Sequence, residues 1–142
     1  MVDQTDLKIL NLLQADGSLT FMEIARRLGL NESTVRKRVM ALKERGVIRK
    51  FTVIIDPAKI GLSAIAIVGI DVEPSKLLEA AQRLCEIDEV KWVATSAGDH
   101  MIMTEIWARD GRELSNIISG SIGKIEGIKK ICPSIILEKL KD

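Results

Sequence analysis

Apolar residues recur along the chain with two different spacings, one helical and one alternating, and the change falls near residue 56. From Asp6 to Gln14, Leu7, Ile9, Leu10, Leu12 and Leu13 are too apolar for an isolated surface helix, which predicts a helix packed on at least one partner and broken at Asp16-Gly17. Thr20-Phe21-Met22-Glu23 has the S/T-x-x-E form in which a hydroxyl caps the helix it precedes. With Ile24, Ala25 and Leu28 it predicts a second helix from near Thr20 to Gly29. Asn31 then caps a third, in which Val35, Val39 and Leu42 lie three or four apart until Gly46 supplies the stop. Ser33, Thr34, Arg36, Lys37 and Arg38 fall mostly off that buried stripe.

Ala25, then Gly29, then Val35 is a specific spacing. Two helices crossing steeply through a short turn need a small residue where they touch, a glycine able to take positive φ, and a β-branched residue facing back from the second helix. A helix-turn-helix meets that specification, and an ordinary helical hairpin that binds nothing meets it too. After Gly46, the β-branched run Val47–Ile55 reads as an extended strand leaving the module, part of a strand pair, and Asp56-Pro57 ends it. Asp56 to Gly61 is the expected domain boundary.

Beyond it the order is strand, helix, strand, strand, helix, strand. Leu62–Val72 is β-prone. Pro74 opens a helix with the stripe Leu77, Leu78, Ala81, Leu84 and Cys85. Val90–Ser96 and His100–Ala108 flank the turn Ala97-Gly98-Asp99 and read as a hairpin. Asp110 begins a helix with Leu114, Ile117, Ile118, Ser121 and Ile122 inward, Gly123 ends it, and Ile128–Leu140 is the last strand. The expectation is an α+β chain, a helix-turn-helix followed by a ferredoxin-like βαββαβ domain. Both helices of that arrangement cover one face of the sheet, so the other face should be polar in a monomer. Instead Ala64, Ala66, Val68 and Ile70 alternate with Ile65, Ile67 and Gly69, and Trp92/Val93 and Ile106/Trp107 repeat the pattern. Two apolar faces predict a homodimer joined sheet to sheet.

Charge sharpens the first half. The net charge of +1 hides a split: residues 1–50 hold 10 Lys/Arg against 6 Asp/Glu, leaving 11 against 14 in the rest. A basic module at one end suggests a polyanion there, and a basic helix is also often just a solvated face. If the third helix enters the major groove of double-stranded DNA, Ser33, Thr34, Arg36 and Lys37 lie nearest the bases, and Arg26, Arg27, Arg38, Arg49 and Lys50 lie mainly on phosphates. Arg49 and Lys50 would equally keep an exposed edge strand soluble.

The longest apolar run, Ala64–Ile70, is far short of the roughly 18 residues of a membrane span. The N-terminus carries Asp3 and Asp6 rather than a basic leader, so a cytoplasmic protein is expected. Cys85 and Cys132, without metal-ligand spacing and accompanied by the single histidine His100, read as small core residues, and neither a metal nor a cofactor is expected. No phosphate loop, G-x-S-x-G elbow or Ser/His/Asp set points to an enzyme. In the turn Ser96-Ala97-Gly98-Asp99-His100-Met101, Gly98 allows close approach of a small ligand. Asp99 could pair with an α-ammonium, and Ser96 and His100 could add hydrogen bonds. An aspartate stabilising its own turn reads equally from these residues.

Thr5-Asp6-Leu7-Lys8-Ile9-Leu10, Glu23-Ile24-Ala25 through Gly29, Val35-Arg36-Lys37-Arg38-Val39 with Leu42 and Gly46-Val47-Ile48, and the turn Ser96–His100 together resemble the Lrp/AsnC family of transcription regulators, in its archaeal style, over essentially the whole chain. The resemblance implies a winged or strand-linked helix-turn-helix DNA-binding domain at 1–50, a strand linker at 51–61 and a ferredoxin-like effector-binding and oligomerisation domain at 62–142. It also implies dimers that assemble further, often into octamers, with a small amino acid bound between dimers near the Gly-Asp turn. Where family members often place an acidic residue, this chain has Met101. The remaining alternatives are a ligand-independent architectural DNA-binding protein and an amino-acid-binding regulatory subunit.

Overall fold

The structure, a computed structural model, describes all residues from Met1 to Asp142, and the chain divides between Ile54 and Ile55 into two compact units.

The first unit holds α1 (Gln4–Ala15), α2 (Phe21–Leu28) and α3 (Glu32–Glu44). α1 begins ahead of its apolar run because Asp3 and Asp6 cap it reciprocally: Asp6 N–H donates to Asp3 Oδ1 at 2.8 Å and Asp3 N–H to Asp6 Oδ2 at 3.2 Å. Thr20 Oγ1 caps α2 by accepting from Glu23 N–H at 3.1 Å. Gly29 ends α2 with φ +68°, the left-handed conformation the turn requires, and Leu30 N–H returns to the Ala25 carbonyl. Asn31 occupies the N-cap position of α3 in extended backbone, but its side chain makes no capping bond. Ala25 and Val35 are both buried, in one cluster with Ile9, Leu19, Ile24 and Val39. The helix-turn-helix spacing is therefore realised as packing, each large side chain in it worth roughly 1.5–3 kcal/mol.

The strand expected over Val47–Ile55 does not form. The segment is irregular, and Phe51, Val53, Ile54 and Ile55 are exposed. Residues of high β-propensity need a neighbouring strand for their backbone hydrogen bonds, and none of the chain's four strands pairs with this stretch.

The second unit contains β1 (Ala64–Val72), α4 (Leu77–Cys85), β2 (Val90–Thr95), β3 (Ile102–Ala108), α5 (Gly111–Asn116) and β4 (Ile128–Ile135). The sheet order is β2-β3-β1-β4, all antiparallel, which is the βαββαβ arrangement expected. Four details differ. Pro74–Lys76 forms a tight 3-10 turn, so the buried stripe of α4 is Leu77, Ala80, Ala81 and Leu84, while Leu78 and Cys85 face out. Cys85 is thus not a core residue, and Cys132 is half-buried on β4. α5 runs into a π-helical turn, Ile117–Ile122, whose larger number of residues per turn leaves Ser121 exposed, while Ile122 is buried as expected. The last strand stops at Ile135, with Ile136 N–H still donating to the Ile65 carbonyl at 2.9 Å, so Leu137 to Leu140 lies beyond the ladder.

Ala66, Val68, Ile70, Val72, Ile102 and Ile106 form the helix-side core with Ala80, Leu84, Leu114, Ile117 and Ile122. The cross-strand pairs Ile65↔Trp107, Ile67↔Glu105, Gly69↔Met103 and Trp92↔Glu105 place those side chains on the opposite face. There Ile65, Ile67, Met103 and Trp107 are half-buried and Trp92 is exposed, as the alternation predicted. The face is not uniformly apolar, however. Glu105 is buried at its centre, accepting from Trp107 Nε1 at 2.7 Å and lying 3.8 Å from Lys139 Nζ.

Candidate nucleic-acid interface and effector turn

With Val35, Val39 and Leu42 turned into the core, α3 presents Ser33, Arg36 and Lys37 outward and holds Thr34 and Arg38 half-buried at its flank. Arg36 is fixed from two sides: its Nη2 donates to Glu32 Oε1 at 2.5 Å, and its guanidinium carbon lies 5.5 Å from the centre of the Phe21 ring. Arg38 is engaged within the fold as well. Its Nη1 donates to both oxygens of Asp3, at 2.9 and 2.8 Å, and to Asp6 Oδ1 at 3.0 Å, tying α3 to the start of α1. That guanidinium, aided by the Asp6 backbone N–H, holds the Asp3 carboxyl below its usual range, and the two carboxylates raise Arg38 in turn. These bonds use Nη1 alone, and Nη2 and Nε take no part in them.

Arg26 and Arg27 are exposed on the last turn of α2, beside the turn that leads into α3, where cations also complement the helix dipole. Arg49 and Lys50 are exposed beyond α3, on a loop pinned by Lys43 Nζ donating to the Arg49 carbonyl at 2.8 Å. Phe21, the first residue of α2, and Glu32 were absent from the expected set. The Glu32/Arg36 spacing is an i,i+4 pair that the sequence does display. The Phe21 stack joins different helices and has no local signal.

In the second unit the hairpin turn is closed by its own groups. Ser96 N–H donates to the Met101 carbonyl at 2.9 Å, Ser96 Oγ to the His100 carbonyl at 2.6 Å, and Gly98 has φ +136°. Ser96 is thus committed to the turn, and Ala97, Gly98 and Asp99 are exposed. His100 is half-buried with its ring against Gly69, so close that a Cβ on Gly69 would stand 2.3 Å from the ring Cδ2. Its Nδ1 is 3.4 Å from Asp71 Oδ2. Met101 packs against the helix-side core. Gly69 and Asp71 belong to this constellation because the pairing of β1 with β3 brings β1 beside His100, which sequence spacing does not reveal.

Residues 2–49 match the family described as winged helix-turn-helix DNA-binding, and residues 65–142 match the Lrp/AsnC ligand binding domain. The chain is 52% identical to the HTH-type transcriptional regulator LrpA of Pyrococcus horikoshii over 99% of its own length and 100% of that protein's. It superposes on the crystal structure of PH0061 with a TM-score of 0.91 at 28% identity, covering 100% of this chain and 97% of that one. The transcriptional regulator NMB0573 of Neisseria meningitidis, solved as a complex with L-Met, shares the fold with a TM-score of 0.89 at 23% identity, covering 100% of this chain and 94% of that one.

Proposed function

Because the chain belongs to the Lrp/AsnC family of helix-turn-helix transcription regulators, we propose that α3 enters the major groove of its operator while the second unit binds a small amino acid and joins copies of the chain. The observation that carries the DNA assignment is the outward face of α3, where Ser33, Arg36 and Lys37 stand clear of a core made by Val35, Val39 and Leu42. In this reading Ser33, Thr34, Arg36 and Lys37 meet base edges, and Arg26, Arg27, Arg49 and Lys50 meet phosphates. Arg38 positions α3 through Asp3 and Asp6 with its Nη1 and turns its remaining donors to a phosphate.

The effector reading rests on the turn Ser96–Met101 and on the L-Met complex of the Neisseria protein. An amino acid lodges at the turn with Asp99 as the ammonium partner, backbone carbonyls assisting, and His100 with Asp71 beside it. A second copy covers the face bearing Ile65, Ile67, Trp92, Met103 and Trp107, and dimers assemble further, to an octamer, completing each effector site from a neighbour. No helix is long and apolar enough to cross a membrane, and a role in regulating transcription supports a cytoplasmic location.

Arg36→Ala and Arg49→Ala test the DNA assignment in a titration of the protein's own promoter duplex at several salt concentrations. Arg36→Ala weakens the preferred sequence selectively, by roughly 1–3 kcal/mol, whereas Arg49→Ala weakens all sequences alike and lowers the salt slope by about one. If both variants kept the wild-type affinity and slope, this placement of α3 would be wrong.

A further inference from the structure

We propose that Glu32 is a specificity-determining residue of this interface, holding the Arg36 guanidinium, together with the Phe21 ring, in the orientation that reads a guanine edge. The inference rests on α3 being the helix that enters the groove. Glu32 is the first residue of α3, and Arg36 lies one turn further on the same side. The bond from Nη2 to Glu32 Oε1 fixes one edge of the guanidinium, and the Phe21 ring supports its plane from α2. Phe21 is itself anchored, half-buried against the core of the first unit. The Arg36 side chain nonetheless remains 58% exposed, so its other edge faces out.

The three cations of this stretch differ in how they are held. Arg38 has its Nη1 bound by Asp3 and Asp6, Lys37 is a point charge on a flexible stem, and Arg36 alone is both held and outward. Arginine has five N–H donors in a planar fork, so one bond to Glu32 leaves enough for the O6 and N7 acceptors of guanine. The carboxylate also selects what the fork takes. A free arginine pairs readily with a phosphate, but Glu32 cancels its charge locally and repels the anionic backbone. A guanine edge carries no net charge and keeps both hydrogen bonds. Beside the pair, Leu19, Thr20, Phe21, Met22 and Glu32 line a shallow hollow of about 470 Å³, which leaves space at this end of α3 for the base to approach.

The test uses the full chain. Preferred duplexes are selected from a randomised DNA library. Affinity is then measured for the selected duplex, for versions with each G·C pair changed to A·T, and for random-sequence duplex. Arg36→Ala is expected to abolish the preference at one G·C pair. Glu32→Gln is expected to lower the matched-to-mismatched affinity ratio at that pair about tenfold. It also leaves binding to random duplex unchanged or up to about threefold tighter, because a charge that repels phosphate is gone. Phe21→Leu, which keeps an apolar anchor and removes the ring, lowers the same ratio about threefold while the protein stays folded at the temperature of the measurement. If Arg36→Ala loses the preference and Glu32→Gln keeps it, or if Glu32→Gln weakens every duplex alike, the role assigned to Glu32 is overturned and the reading of α3 survives. If Arg36→Ala also keeps the preference, or the wild type shows none, the reading of α3 fails and the inference with it.

Discussion

Arg38 illustrates what a single residue contributes and how little of it local sequence reveals. By composition it is one more cation on the basic helix. In the fold it closes a bridge to Asp3 and Asp6, 35 and 32 residues earlier in the chain. No periodicity encodes that distance, because the register between α1 and α3 is set by packing of Ile9 against Val35 and Val39. Arg36, by contrast, was legible, since its partner Glu32 lies at helical spacing. The bridge makes a pH prediction. The Asp3 carboxyl is held below its usual range chiefly by Arg38. Its contribution to stability is therefore fully present above the unfolded value near 4 and is lost as pH falls through the lower folded value. Acid titration of the melting temperature should show a drop below about pH 4 that Asp3→Asn flattens, because the asparagine variant begins without the ionic contribution. A wild type and an Asp3→Asn variant with parallel curves below that pH would contradict the bridge.

Among the elements, helices whose caps and stripes agree were readable, and those with a change of pitch were not. α2 and α3 are bounded by Thr20, Gly29 and Asn31 as the spacing predicts. The helix after Asp110 also starts where expected, with Asp110 capping Glu113 N–H at 2.8 Å. Its inner face departs from a 3.6-residue stripe because Ile117–Ile122 takes the wider π turn, and no residue in Ile117-Ile118-Ser119-Gly120-Ser121-Ile122 announces that. The consequence is measurable by denaturant unfolding. Ile122→Ala should cost about 2–5 kcal/mol, as for a fully buried isoleucine, and Ser121→Ala should change stability by less than about 0.5 kcal/mol. Equal effects at the two positions would restore the α-helical stripe. The same logic explains Val47–Ile55: the propensity was read correctly, and the partner strand it requires is absent from the chain.

For the whole molecule, the two-unit organisation and the βαββαβ order were visible in the sequence, as was the second apolar face of the sheet. Glu105 at the centre of that face was not, because alternation reports which side a residue faces and says nothing of whether a tryptophan N–H waits beside it. The face distinguishes two substitutions on adjacent residues. Val68 is fully buried on the helix side, so Val68→Lys should unfold the domain. Ile67 lies on the uncovered side, so Ile67→Lys should leave folded monomers, seen as the mass of a single chain in sedimentation. A wild type that sediments as a folded monomer at micromolar concentration would overturn the dimer. The turn proposed for the effector belongs to the unit without the basic helix, so in that proposal an amino acid influences DNA through the assembly that spaces the helix-turn-helix units. Such coupling is typically about 1–3 kcal/mol and must be reciprocal. Asp99→Ala should abolish it and leave DNA binding without effector intact. The most direct measurement is thermal melting of the full chain against each of the twenty amino acids, with and without promoter DNA, followed by titration of the amino acid that responds. The expected result is that one amino acid raises the melting temperature and changes DNA affinity about 5- to 150-fold, with DNA changing affinity for that amino acid by the same factor. No melting shift with any of the twenty at millimolar concentration would contradict it and leave a DNA-binding protein without an effector.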